Sequence, residues 1–133
     1  MWIFEELEIK TLEREILIDI TEKIQDILKK SSISEGICRI FIPHTTAGIT
    51  ISENADPTVK IDLIKYLKQL IPKSSEFLHL EGNSDAHIKS SLTGLSLEAI
   101  IHNNKLMSGA WQGIFFAEYD GPRNRKVYIQ IQG

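Results

Sequence analysis

The chain has one cysteine, no long apolar run and no excess of positive charge, and each shortage excludes a class of protein. Cys38 cannot form an internal disulfide, and the apolar run around it, GICRIFIP, favours a buried side chain over a nucleophile. The formal net charge of -3 offers no basic surface to phosphate backbones, which argues against general nucleic-acid binding. No apolar stretch reaches the roughly 20 residues of a membrane-spanning helix, so we expect no membrane role.

The opening residues and the composition predict a small cytoplasmic domain. Acidic residues occupy the start, MWIFEELEIK, where a secretory signal would carry positive charge before an apolar stretch. With 133 residues, 42% of them hydrophobic, the chain can form one core, and we predict a single domain over residues 1–133. The sequence contains no internal repeat, no low-complexity tract and no linker.

Helical spacing of apolar residues occurs twice and predicts two substantial helices. The first begins at Asp19 or Thr21 and fades at Ser31. The second is capped by Asp56, starts with a proline as its first helical residue, and is stopped by Pro72. Its strong apolar face makes it the better defined of the two.

Alternating apolar and polar residues predict seven strands. After Pro72 the chain is irregular until about His87, where IKSSL is long enough for one or two helical turns closed by Gly94. We predict an α+β fold with mostly antiparallel strands that form sandwich-like sheets, together with two main helices. The seven strands lie near residues 3–9, 16–20, 37–42, 49–51, 95–101, 111–119 and 127–131.

Three polar segments are candidates for a functional site. They read PHTTAGITISENADP, HLEGNSDAHIKSSLTG and SGAWQGIFFAEYDGPR, and they are too polar and too rich in Gly and Pro to be explained by core packing. Three of the four histidines, His44, His79 and His87, lie in the first two segments. We therefore expect these segments to meet in one pocket.

The three histidines are candidate metal ligands. Neutral imidazole binds zinc-like ions, and three such ligands leave one coordination position open to water or substrate. The spacing is loose, because His79 and His87 are eight residues apart and His44 precedes them by 35, so no compact motif such as HExxH is present. From spacing alone, loop histidines satisfied by ordinary hydrogen bonds are the alternative.

Polar residues around the second predicted helix are candidates for substrate binding. Asn54 and Asp56 are placed to present polar groups and backbone N–H donors to a phosphate, although Asp56 has a simpler role as the helix cap. The hydroxyl groups of Thr45 and Thr46 lie beside His44, and β-branched threonines are also ordinary residues at strand ends.

The third segment adds acids and a basic cluster. Glu118 and Asp120 are two residues apart, so on a strand they share one face and are candidates for an acid, a base or a partner of a histidine. A solvated strand end explains them equally well. Arg123 leads a basic group with Arg125 and Lys126 that suits phosphate binding, and a solvated hairpin tip is the alternative.

Taken in order, the three motifs resemble the YjbQ family, described as secondary thiamine-phosphate synthases. The resemblance covers essentially the whole chain, with one departure at Ala110, where the family pattern usually reads Gly-Thr-Trp-Gln. It implies an α+β sandwich assembled as a homotrimer with pockets near the subunit boundaries, and a weak thiamine-phosphate synthase activity.

The resemblance also assigns roles by matching position. It implies that His87, Asp85 and Glu118 act in catalysis and that His44, His79 and His87 hold a metal ion. Substrate binding falls to Asn54, Asp56 and Arg123, and we add Thr45 because its hydroxyl lies beside His44.

The implied reaction joins hydroxymethylpyrimidine diphosphate to thiazole phosphate and expels pyrophosphate, so the partner would be a small phosphorylated heterocycle. Negative charge develops on the leaving group and must be stabilised. The candidates are Arg123, the helix start after Asp56 and a proton donor such as His87. Imidazoles favour a zinc-like divalent metal, whereas Mg²⁺ is the usual ion at pyrophosphate. The alternative function is a non-catalytic trimer that binds a metal and a metabolite, and a metal-dependent hydrolase is a third.

Overall fold

The computed structural model describes residues 1–133 as eight strands and three helices. Every strand pair is antiparallel, which confirms the predicted α+β class. In chain order the elements are β1 Trp2–Lys10, β2 Ile16–Asp19, α1 Thr21–Ser31, β3 Gly36–Phe41, β4 Ala47–Glu53, α2 Pro57–Leu70, α3 Ser84–Thr93, β5 Ser96–His102, β6 Lys105–Met107, β7 Gln112–Glu118 and β8 Asn124–Gln132.

Two elements differ from the sequence prediction. The strand β6 was missed because Asn103 and Asn104 form a tight turn with φ values of 51° and 59°, which returns the chain onto β5 rather than leading to β7. Asparagine tolerates such positive φ values well. The helix α3 begins at Ser84, earlier than predicted, because its buried positions include polar Asp85 and Lys89 and therefore lack apolar periodicity.

The strands form two sheets that enclose the main core. The larger sheet has the order β1-β8-β3-β5-β6, and the smaller one has the order β2-β7-β4. Ile40 and Ile129 from the larger sheet meet Phe116 from the smaller one, and α1 adds Ile24 and Leu28 to the same cluster. No helix is both long and apolar enough to span a membrane.

Cys38 belongs to this core. It is fully buried on β3, and burial raises the pKa of its thiol to about 12. A thiol this difficult to ionise is a packing residue, as the sequence predicted, because the thiolate is the nucleophilic form.

The outer face of the smaller sheet is covered unevenly by the other two helices. Ala86 of α3 packs against Phe115 and Tyr119 in a second buried cluster. By contrast, no residue of α2 is buried, and only Ile64 and Leu67 reach that cluster. The helix α3 is therefore held firmly over β4, whereas α2 lies loosely beside β2.

Close contact between β4 and α3 makes Gly48 sensitive to substitution. A β-carbon at Gly48 would lie 2.5 Å from Thr93 Oγ1 and 2.9 Å from the carbonyl oxygen of Gly94. We expect Gly48→Ala to lower the free energy of unfolding by about 1–3 kcal/mol, as overpacking generally does, measured by urea denaturation. The control is Gly109→Ala, whose nearest neighbour is the flexible side-chain end of Gln112 at 3.3 Å. Equal losses in the two variants would contradict the prediction.

Candidate functional site

The three polar segments meet at a cavity of about 320 Å³ at one end of the sandwich. The loops before β4, α3 and β8 all open onto it, so residues far apart in sequence become neighbours. Its lining contains no large apolar side chain, which distinguishes it from a packing defect. The lining residues are Pro43, His44, Thr45, Thr46, Glu81, Asn83, His87, Arg123 and Arg125.

His44 is held by the backbone of β8. Its Nε2 accepts a hydrogen bond from the N–H of Lys126 at 2.9 Å. Burial, together with the positive charge of Arg125, lowers the pKa of His44, so the ring is neutral at pH 7. A neutral ring that accepts at Nε2 carries its proton on Nδ1, which makes His44 a hydrogen-bond donor through that atom.

The other two histidines of the motifs lie next to each other. The rings of His79 and His87 meet edge to face with centroids 5.2 Å apart, and His79 Nε2 lies 3.9 Å from a carboxylate oxygen of Glu81. Of this pair only His87 lines the cavity. No group of three His, Cys, Asp or Glu side chains is arranged to hold a metal ion. His44 would also have to give up its bond to Lys126 before Nε2 could bind one.

Asn83, which the sequence analysis missed, is the cap residue of α3 and is 7% exposed. Its Nδ2 donates to Asp120 Oδ2 at 2.8 Å, which fixes the orientation of the amide. Its Oδ1 is buried without a hydrogen-bond partner, the one such side-chain atom in the molecule. Since an unpaired buried acceptor costs about 1–3 kcal/mol, this oxygen is suited to a donor that is not part of the chain. The signal in the sequence was an Asn directly before a helix.

Asp120 ties Arg123 to the same position. Its Oδ2 accepts from an Arg123 guanidinium nitrogen at 2.8 Å, while Arg123 Nε donates to the Asp120 backbone oxygen. Burial alone would raise the pKa of Asp120, but hydrogen bonds from Asn83 and Arg123 and the charge of Arg14 lower it overall. A charged Asp120 therefore orients Asn83 and Arg123 together at the mouth of the cavity.

Glu118 is fully buried, and its partner Arg125 forms the floor of the cavity. It accepts from Arg125 Nε at 2.9 Å and from Thr11 Oγ1 at 2.6 Å, and Arg125 also donates to Thr46 Oγ1 at 2.8 Å. The solvated strand end considered above does not occur, and no histidine contacts Glu118. Residues alternate between the two faces of a strand, so Glu118 on β7 points to the same side as Phe116, toward the core. Its ion-pair partner Arg125 points inward from β8 in the same way.

Asp85 lies beneath the cavity in a buried ion cluster that we define as Arg14, Glu15, Asp85 and Lys89. Both guanidinium NH groups of Arg14 donate to Asp85 at 3.1 Å, and Lys89 Nζ donates to it at 3.0 Å. Burial would raise the pKa of Asp85, but these bonds outweigh it and lower the pKa. Asp85 does not line the cavity, so it acts on the site through its neighbours.

Two predicted substrate-binding residues lie away from the cavity in the folded protein. Asp56 caps α2 by accepting from the backbone N–H of Thr58 at 2.9 Å, and Asn54 donates to Asp19 at 3.3 Å. Both follow the far end of β4, whose seven residues place them about 20 Å from the cavity. Thr45, in contrast, is exposed in the cavity wall.

Sequence comparison finds relatives along nearly the whole chain. The profile of the family described as UPF0047 protein YjbQ-like matches residues 5–133. A UPF0047 protein of Methanocaldococcus jannaschii is 59% identical over 95% of this chain and 91% of its own length. The UPF0047 protein YugU of Bacillus subtilis is 48% identical over 96% of this chain and 97% of its own.

Structure comparison gives the same result. An uncharacterized conserved protein of the YjbQ/UPF0047 family from Clostridium acetobutylicum has a TM-score of 0.94 and 49% identity, covering 96% of this chain and 99% of that one. A protein of unknown function from Sulfolobus solfataricus, described as YbjQ-like, has a TM-score of 0.95 and 31% identity, covering 100% and 98%. With this agreement in sequence and in fold, the chain belongs to the YjbQ-like UPF0047 protein family.

Proposed function

We propose that the polar cavity binds a phosphorylated heterocycle and that the protein is a thiamine-phosphate synthase of weak activity. It would join hydroxymethylpyrimidine diphosphate to thiazole phosphate and release pyrophosphate. One observation supports this most directly: His44 and Thr45, Asn83 and His87, and Arg123 come from three distant segments and line one cavity without apolar residues. Functional side chains on loops held by a rigid scaffold commonly converge in this way.

Phosphate binding follows from the groups at the cavity. The N-terminus of α3 carries the positive end of the helix dipole and unpaired backbone N–H groups, which favour an anion. Arg123 uses Nε and one terminal nitrogen on Asp120, which leaves its other terminal nitrogen for a phosphate oxygen. The Thr45 hydroxyl and the Nδ1–H of His44 are further donors to the same group.

In the coupling step the thiazole nitrogen forms a bond to the methylene carbon of the pyrimidine, and the carbon–oxygen bond to the diphosphate breaks. The leaving pyrophosphate takes that electron pair, and His87 donates a hydrogen bond or a proton to it. The free Oδ1 of Asn83 accepts an N–H from the amino group of the pyrimidine. Asp85 and Glu118 serve as positioning residues beneath these groups.

A homotrimer forms part of this proposal. The outer face of the larger sheet carries exposed apolar side chains, among them Trp2, Phe4 and Phe41, of the kind that subunit contacts bury. A substrate-binding role for Asn54 and Asp56 requires a neighbouring copy, because within one chain they lie far from the cavity.

A second candidate function is a non-catalytic trimer that binds a divalent metal and a metabolite. The observation that favours it is the edge-to-face contact of His79 and His87, with Glu81 beside them. Two imidazoles and a carboxylate are a donor set for a zinc-like ion once the side chains rearrange.

The test incubates the purified protein with both substrates and measures thiamine phosphate by chromatography, without metal and with Mg²⁺ or Zn²⁺. We expect product from the wild type and a loss of about 10²-fold or more in His87→Ala, as for a lost proton donor. His102→Ala is the matched control, because His102 lies at the end of β5, pairs with Glu35 and does not line the cavity. The rate of this variant should be unchanged. Absence of product under all conditions would reject the synthase, and Zn²⁺ bound by the wild type but not by His87→Ala would then support the second candidate.

A further inference from the structure

A second cavity, of about 420 Å³, lies between α2 and β2 and shares no residue with the first. It exists because α2 rests on the sheet only through Ile64 and Leu67. Its volume is within the range of roughly 300–1,000 Å³ that is typical of small-molecule sites. The lining residues are Glu13, Glu15, Ile16, Leu17, Lys60, Ile61, Ile64, Lys65 and Lys68.

Apolar and cationic groups are separated within this cavity. Leu17 of β2 faces Ile61 and Ile64 of α2 and forms an apolar wall. Lys60 and Lys65, which come from the same helix, have no carboxylate within ion-pair distance. One side of the cavity is therefore suited to a hydrocarbon or an aromatic ring and the other to a negative charge.

The acidic lining residues do not cancel this positive charge. Glu15, whose side chain is 4% exposed, accepts a hydrogen bond from buried Lys89, and its other oxygen lies 3.5 Å from Arg14 and 3.8 Å from Lys68. Its charge is thus compensated from within the protein. Glu13 alone opposes Lys60 and Lys65, so the mouth of the cavity keeps a net positive charge.

We propose that this cavity is a binding site for a small organic anion with an apolar body. The carboxylate, phosphate or sulfonate group would lie among the lysines of α2, and the apolar part would pack against Leu17, Ile61 and Ile64. This site is independent of the reaction proposed above, since it uses other residues and lies on the outer face of the smaller sheet rather than at the end of the sandwich. Failure of either proposal leaves the other standing.

The test titrates the full-length protein with 8-anilinonaphthalene-1-sulfonate and follows its fluorescence. We expect saturable binding, displacement by octanoate, and displacement at least 10-fold weaker by octylammonium, which has the same chain and the opposite charge. The double variant Lys60→Glu, Lys65→Glu should weaken binding at least 10-fold. Its control, Lys29→Glu with Lys30→Glu, makes the same change at exposed positions of α1 and should have no effect.

A second pair of variants locates the probe. Ile64→Trp fills the cavity and should abolish binding, whereas Leu63→Trp adds the same bulk on the outward groove of α2 beside Tyr66 and should leave it unchanged. Circular dichroism and the urea midpoint verify that each variant is folded. Binding that survives in Ile64→Trp, that is lost in Leu63→Trp, or that falls equally in both double-lysine variants would overturn the proposal.

Discussion

Replacing Arg125 by alanine should lower the free energy of unfolding by about 3–5 kcal/mol, because it leaves a buried carboxylate without its partner. Arg125 is 5% exposed and holds fully buried Glu118 through two guanidinium nitrogens. It also donates to the side chain and the backbone oxygen of Thr46. The loss should appear in urea denaturation as a lower midpoint with an unchanged slope.

Arg39→Ala provides the matched control for this variant. Arg39 also pairs with a glutamate, Glu98, at 2.7 Å on the same sheet, but both side chains are more than half exposed. Solvent-exposed pairs contribute about 0–1 kcal/mol. If Arg125→Ala cost no more than Arg39→Ala, the buried pair at the cavity floor would be stabilised by its surroundings in some other way.

The second large loss of stability is expected from replacing Lys89, which lies on α3. Its Nζ is buried between Glu15 and Asp85, so Lys89→Met leaves both carboxylates inside the protein with less positive charge. We expect a loss of about 3–5 kcal/mol at pH 7. Lys68→Met is the control, because Lys68 lies 3.8 Å from the same Glu15 but is 53% exposed, and its removal should cost less than about 1 kcal/mol.

The pH dependence of this loss has a definite sign. The pKa of Asp85 is lowered in the folded protein, so its contribution is complete above the unfolded value of about 3.9 and is lost as the pH falls through the folded value. The gap in stability between wild type and Lys89→Met should therefore be full at pH 7 and shrink below about pH 4. Urea denaturation at both pH values checks this, and a gap that widened in acid would contradict it.

Local patterns were sufficient to predict most of the fold. Alternation on β8 and helical spacing in α1 report directly on burial, and the pair Asp56-Pro57 marked the start of α2 because its chemistry is local. The same reasoning failed for α3, because this helix buries Asp85 and Lys89. Its sequence therefore lacks the helical spacing of apolar residues that would have predicted it. Here tertiary ion pairs replace the hydrophobic contacts that sequence patterns detect.

The sequence motifs named residues that line the cavity, but not the hydrogen bonds that connect them. The structure brings His44, Thr45, His87 and Arg123 from these motifs to one cavity, and their roles there stay predictions. Asn83 escaped notice because its significance is an oxygen left without a partner, which depends on where Asp120 lies. Such partners, distant in the chain, have no signature in a single sequence.

Because α2 contributes no buried residue, the domain has a part that can detach while the sandwich stays intact. Segments with little buried surface open at a small fraction of the global unfolding free energy, whereas strands such as β7, with six buried residues in a row, open only when the whole protein does. Amide hydrogens of α2 would thus exchange with deuterium as an early group. A molecule wedged between α2 and β2 would slow that group selectively, which converts a loosely attached helix into a reporter of occupancy.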